Sequence, residues 1–248
     1  MNDTNIEYAE KTLNPLTGCL RRCPYCYGWK LANGRLKKLY LANKRVIAGD
    51  PGDPYAIRWW PERLEEIKHL KKPTRIFLCN MSDLFGHGVP PAHILTILDV
   101  VRAAKQHTFI LLTKCGYNLV EYSPFPPNSC VGMTATNRKE YSNAIHYLNF
   151  VQAGVKFISF EPLLEEVGVL SGDFLSHNIR WAVIGAQTNP TVRPSNKAMQ
   201  EILVAAKRAG AAVFCKDNLA RKASERAALP MLCRERRCSL ILRQEYPL

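Results

Sequence analysis

From Pro73 onward, short apolar runs alternate with longer amphipathic stretches, and this alternation constrains the fold more than any other feature of the chain. The predicted strands are Arg75–Met81, Thr108–Thr113, Cys130–Thr136, Lys156–Glu161, Trp181–Gln187 and Ala211–Lys216. All are rich in Val, Ile and Phe and apolar on both faces, the pattern of strands buried in a parallel sheet. Between them, Ile94, Leu95, Leu98 and Val101 recur at helical spacing, as do Met199, Ile202, Leu203 and Ala206. Segments 61–71 and 138–153 also read as helices. Alternation of this kind implies right-handed βαβ units. With a further strand at Ile6–Leu13, the pattern predicts an α/β fold, a complete or partial (β/α) TIM-like barrel with six or seven parallel strands. There is no glycine-rich dinucleotide or phosphate-loop motif, no internal repeat and no low-complexity linker. Residues 1–248 read as a single domain, with 30–58 as a basic insertion or loop.

Composition narrows the function classes. At 248 residues, 47% hydrophobic and 22% charged, the chain can bury a large core and is neither disordered nor a disulfide miniprotein. No apolar run approaches the roughly 18 residues of a membrane-spanning helix, so no membrane partner is expected. The opening Met1–Glu7 lacks a basic flank and an apolar stretch, so no secretion signal is expected and the protein should be cytoplasmic. The net charge is +13, and between Lys11 and Gly49 lie nine Lys or Arg with no Asp or Glu. A second basic stretch, with acids mixed in, runs from Arg221 to Arg243. Such a balance points either to an anionic partner, nucleic acid or nucleotide, or to a solvated basic face.

Nine cysteines in a reducing compartment argue against a disulfide framework. Cys79, Cys115, Cys130 and Cys215 lie in or beside apolar runs, and most of them read as small buried hydrophobes. Cys19, Cys23 and Cys26 differ, because their C-x3-C-x2-C spacing lets a short loop turn three sulfurs toward one centre. Three thiolates fill three corners of a [4Fe–4S] cluster and leave the fourth iron open. Arg21 and Arg22 would favour the thiolate form. A structural zinc completed by His69, His87 or a later Cys would use the same sulfurs. Cys215, Cys233 and Cys238 raise the thought of a second cluster, on weak spacing.

A C-x3-C-x-aromatic-C segment after a first strand, with Tyr25 at the aromatic position and a βα barrel following, resembles the radical S-adenosylmethionine (radical SAM) superfamily. More narrowly, Asn14–Cys19, Met81–Phe85, Phe160–Leu163 and Val213–Lys216 resemble a phage-associated branch of unassigned substrate, similar to spore photoproduct lyase-like proteins. The resemblance implies a cluster on Cys19, Cys23 and Cys26 that cleaves S-adenosylmethionine to a 5′-deoxyadenosyl radical. It also implies a reducing partner such as flavodoxin or ferredoxin. Where that superfamily usually carries a Gly-Gly-Glu-like segment, this chain has Asn80-Met81-Ser82-Asp83.

Active sites of βα barrels lie at the C-terminal strand ends. Here those ends carry Asn80, Ser82, Asp83, Thr113, Lys114, Thr134, Thr136, Glu161, Gln187, Thr188, Lys216 and Asp217, a nearly complete polar ring. Glu161, Lys216 and Lys114 are the candidate catalytic residues. Tyr25, Ser82, Asp83, Thr134, Thr136 and Gln187 are the candidate cofactor-binding residues. Glu161 sits in an apolar run where a carboxylate needs a partner or a use; Lys216 could be that partner, or could equally hold a substrate anion. Arg193 reads as an exposed loop arginine that could also contact an anion. The reading that competes with an enzyme is a nucleic-acid-binding protein with a structural zinc or iron–sulfur site and no radical chemistry.

Overall fold

A computed structural model describes residues 1–220, 223–236 and 239–247. Its central sheet has eight strands: β1 Asn2–Asp3, β2 Lys11–Leu13, β3 Arg75–Leu78, β4 Thr108–Thr113, β5 Ser129–Thr134, β6 Val155–Phe160, β7 Trp181–Ile184 and β8 Ala212–Cys215. Strand order in the sheet equals chain order, from β1 to β8. Each successive βα unit therefore adds its strand on the same side of the last, with no point where the winding reverses as in a doubly wound sheet. The registers β2–β3, β3–β4, β6–β7 and β7–β8 are parallel, and β1 runs antiparallel to β2. Near-continuous burial of β3 to β8 explains their apolar character on both faces.

The complete-barrel expectation is corrected here: among the described residues the sheet has two edges and does not close into a ring. Both edges are occupied by short antiparallel pieces. On one side β1 pairs with β2. On the other, Phe214 bridges Gln244, the Cys215 amide donates to the Arg243 carbonyl at 2.7 Å, and the Glu245 amide donates to the Val213 carbonyl at 3.0 Å.

The chain divides into two compact units, Met1–Val131 with Val151–Gly154, and Gly132–Phe150 with Val155–Leu248. The first contains helices α1 Tyr27–Asn33, α2 Lys37–Ala42, α3 Pro91–Ala103 and α4 Gly116–Val120. The expected helix at 61–71 is a 3-10 helix, Pro61–His69, whose buried Leu64 and Ile67 stand three residues apart, the repeat of that tighter winding. The expected strand at 75–81 stops at Leu78 because Cys79 turns left-handed (φ 58°). Region 30–58 holds α1, α2 and two strands, Val46–Ala48 and Ile57–Trp59, which pair antiparallel, with Leu16–Thr17 on the other side of Ile57–Trp59.

Arg58 organises that region. It is fully buried, and its guanidinium donates to four backbone carbonyls, those of Pro51 (2.8 Å), Asp53 (2.8 Å), Asn43 (3.2 Å) and Ala56 (3.2 Å). A planar fork with five donors can gather so many acceptors from one loop where an ammonium could not.

The second unit contains α5 Arg138–Leu148, α6 Asp173–Ser176 and α7 Asn196–Ala209. Helix α7 starts where the Ser195 side chain accepts from the Ala198 amide, and stops at left-handed Gly210. Its buried face, including Met199, Ile202 and Ala206, contacts β7 and β8. Strand β7 ends at Ile184, short of the expected Gln187, because Gln187–Thr188 pairs with Thr191–Val192 as a separate hairpin. No helix among the described residues is long and apolar enough to cross a membrane.

Candidate functional site

In the first unit, the cysteine loop hangs from the end of β3. The Gly18 amide donates to the Met81 carbonyl at 2.8 Å, and the Ser82 hydroxyl donates back to the Gly18 carbonyl at 2.6 Å. Gly18 has φ +88°, and a Cβ there would lie 2.1 Å from the Ala56 carbonyl oxygen, so no other residue fits. The next residue, Cys19, donates its amide to the Tyr55 carbonyl at 3.2 Å. Cys26 caps α1, its Sγ accepting from the Trp29 amide at 3.3 Å. Cys19 and Cys26 pack against an apolar cluster of Ala32, Tyr40, Tyr55, Trp60 and Met81.

Cys19, Cys23 and Cys26 are half-buried free thiols. Burial pushes the Cys19 thiol up to about 11, against the opposing pull of the Arg21 amide, which lies 3.5 Å from its Sγ. Among the described residues, no three His, Cys, Asp or Glu side chains, Cys19, Cys23 and Cys26 included, are gathered as ligands around a single metal ion. The donor set suits an iron–sulfur cluster in its chemistry: three unpaired thiols within eight residues, amide N–H groups on two of the sulfurs, apolar backing behind them, and Arg21 and Arg22 beside them. Arg22 takes a left-handed backbone (φ 54°) and ion-pairs with Asp53.

The neighbouring strand ends close around the same loop. Asp83 accepts from the Thr113 hydroxyl at 2.5 Å and the Phe85 amide at 3.2 Å through Oδ1, and from the Lys114 amide at 3.0 Å through Oδ2. Desolvation raises the Asp83 carboxyl above its ordinary value, with those three hydrogen bonds opposing. Lys114 holds its Nζ 5.4 Å from the centre of the Tyr25 ring, a cation–π contact, and its carbonyl accepts from Arg21 at 3.2 Å. Tyr27 donates its hydroxyl to the Asn80 carbonyl at 2.6 Å, and Asn14 donates to the Asn80 side chain at 2.7 Å. The unit thus brings Tyr25, Ser82, Asp83 and Lys114 into contact with the cysteine loop or with each other.

In the second unit, Glu161 and Lys216 form an ion pair at 2.9 Å, with side-chain exposures of 16% and 22%. Ser159 donates to the other Glu161 oxygen at 3.0 Å. Gly185 lies under the pair: a Cβ there would meet Lys216 Cδ at 3.0 Å and Glu161 Cγ at 3.2 Å. Thr136 is bound into the start of α5, its hydroxyl and amide both donating to Glu140 at 2.8 and 2.9 Å. Thr134 is buried in β5, and Gln187 donates to the Pro190 carbonyl at 2.9 Å within its hairpin. Arg193 ion-pairs with Glu225 at 2.5 Å.

Of the remaining cysteines, Cys79, Cys130 and Cys215 are buried as expected, and burial lifts them to about 12, 11 and 12. Cys115 is half-buried, with its Sγ 4.0 Å from His87 Nε2. Cys238, one of the three residues considered for a second cluster, lies outside the described residues, as does Arg221. Reading the sequence missed Tyr55, Arg58, Glu140 and Gly185. None stands near a motif, and only Gly185, between an apolar run and a polar strand end, carried a local signal.

Residues 3–228 match the model of a family described as "Protein of unknown function (DUF5131)". No curated protein matches the chain. Among solved structures, a mutant of spore photoproduct lyase aligns with a TM-score of 0.50 at 12% identity, over 82% of this chain and 62% of that one. Another mutant of the lyase, with AdoMet and dinucleoside spore photoproduct bound, aligns with a TM-score of 0.48 at 14% identity, over 84% and 62%. The chain spans about 62% of the length of those proteins, and at 12% identity the likeness to the first is one of fold.

Proposed function

The chain belongs to the DUF5131 family, whose function is unknown, and from its own residues we propose that it is a radical SAM enzyme acting on a nucleic-acid or nucleotide substrate. One observation carries the reading: three free thiols on an eight-residue loop, two of them receiving amide hydrogens and packed on apolar side chains, with a glycine before them that admits no substitute. In this reading Cys19, Cys23 and Cys26 hold a [4Fe–4S] cluster. The cluster and S-adenosylmethionine together supply one-electron cleavage of a carbon–sulfur bond and hydrogen abstraction, chemistry that no side chain offers.

The chain's own residues do the rest. Ser82 ties the cysteine loop to the end of β3. Asp83 fixes the turn after β3 to Thr113 and Lys114 at the end of β4, and Lys114 presents its charge over the Tyr25 ring. We assign Tyr25, Ser82 and Asp83, all in the first unit, to cofactor contact. The Glu161–Lys216 pair, half-buried above a glycine, can hold or move a proton between carboxylate and amine. Exposed Arg21, Lys30, Arg35, Lys37 and Lys38 draw an anionic substrate, and a reductant such as flavodoxin or ferredoxin delivers electrons.

Anaerobic reconstitution with iron and sulfide tests the reading. About four irons per chain are expected, together with 5′-deoxyadenosine on adding dithionite and S-adenosylmethionine. Cys23→Ala should lose both while its circular dichroism stays native. A colourless wild-type protein holding one zinc, with no 5′-deoxyadenosine released, would overturn the enzyme in favour of a binding module.

A further inference from the structure

Tyr55 stands 29 residues beyond Cys26, yet it touches two of the three cysteines. Its carbonyl accepts from the Cys19 amide at 3.2 Å, and its hydroxyl lies 3.4 Å from Cys26 Sγ. The ring is only 3% exposed, in the cluster that backs the loop. Two independent features hold it there. Its amide donates to Asp53 Oδ1 at 2.8 Å, while Asp53 ion-pairs with Arg22 of the cysteine loop and gives its carbonyl to buried Arg58. On the other side, Gly28 leaves the space the hydroxyl fills: a Cβ at 28 would lie 2.6 Å from the Tyr55 oxygen.

We propose that Tyr55 is a positioning residue for the metal centre, donating its hydroxyl hydrogen to the sulfur of Cys26 and so raising the centre's reduction potential. The direction of the hydrogen bond follows from the chemistry. A cysteine bound to iron has no proton to give, so of the two groups 3.4 Å apart only the phenol can donate. A hydrogen bond to a ligating sulfur withdraws negative charge from it and favours the more reduced cluster. The Cys26 sulfur already accepts from the Trp29 amide, so the phenol is its second donor and the one a side-chain substitution can remove. The inference rests on the cluster reading above and adds to it the residue that tunes the centre.

The test is a redox titration of the reconstituted protein followed by its electron paramagnetic resonance signal, in wild type, Tyr55→Phe, Gly28→Ala and Tyr40→Phe. Tyr55→Phe keeps the buried ring and removes only the donor. At a fixed solution potential its ratio of reduced to oxidised cluster should fall about fivefold, the scale of losing one charge-assisted hydrogen bond in part. Gly28→Ala, which drives the hydroxyl off the sulfur, should shift the same way. Tyr40→Phe removes a hydroxyl from the same apolar cluster and should leave the potential unchanged. Iron content and melting temperature of each variant guard against a mere folding defect, and loss of iron from a folded Tyr55→Phe would also support the contact. An unchanged potential and iron content in Tyr55→Phe would overturn the role of Tyr55 while leaving the cluster standing. Wild-type protein that takes up no iron would overturn both.

Discussion

Replacing Arg58 by Met removes the guanidinium and keeps most of the apolar stem. Four carbonyls of the 43–56 loop then lose their donor in a fully buried setting. A stranded buried acceptor costs about 1–3 kcal/mol. Four of them do not sum, because the wild-type guanidinium already bears a desolvation penalty, visible as a pKa pushed down by burial. A net loss of about 3–5 kcal/mol is therefore expected, the scale for removing one partner of a buried charged set. For a chain of this size that is a fall of about 10 °C in melting temperature. Urea unfolding and thermal melts followed by circular dichroism measure it, and Arg58→Lys should fall between the two, since an ammonium reaches fewer of the four carbonyls. Hydrogen exchange adds a local readout: the Cys19 amide, which donates to Tyr55 in the same loop, should exchange faster in Arg58→Met. A loss below about 1 kcal/mol would refute the buried-fork argument, and a large loss with unchanged exchange at Cys19 would refute its link to the cysteine loop.

Gly18→Ala combines a left-handed backbone with a backbone oxygen 2.1 Å from the new Cβ, so stability should drop by more than about 2 kcal/mol, read from the denaturant midpoint. Glu161→Gln should cost at most about 1 kcal/mol, because the pair with Lys216 is partly solvated, yet lower product formation at least tenfold if the pair handles a proton; equal small effects on both would refute a catalytic role. For Asp83 the folded carboxyl binds its proton more tightly than the unfolded one. Its ionisation therefore opposes folding: the penalty is absent well below the ordinary carboxylate pKa and grows as pH rises past it. The stability of wild type relative to Asp83→Asn should thus improve as pH is lowered from 7 toward 4, and a difference that is flat or of opposite slope in urea titrations would contradict the desolvation argument.

What could be read from residue order was whatever depends on near neighbours. Six apolar runs announced β3 to β8, since burial on both faces of a parallel strand demands continuous hydrophobicity within five or six residues. The C-x3-C-x2-C spacing was equally plain, because it lies within eight consecutive residues. The Glu161–Lys216 pair was anticipated from the discomfort of a carboxylate in an apolar run. Boundaries were less legible: β3 stops at Leu78 because Cys79 turns left-handed, and β7 stops at Ile184 because a separate hairpin begins at Gln187. Neither turn leaves a mark in hydropathy.

Residue order alone carried the alternation of strands and helices, the basic stretch ahead of most of them, and three cysteines within eight residues, all of them features of short windows. Only folding set Ser82 against the Gly18 carbonyl, Asp83 against Thr113 and Lys114, Tyr55 against Cys26, and Arg58 among four loop carbonyls. The reason is reach: hydrogen bonds and van der Waals contacts act over a few ångströms in space, and residues such as Tyr55 and Cys26, far apart in the chain, become neighbours only once the backbone has folded.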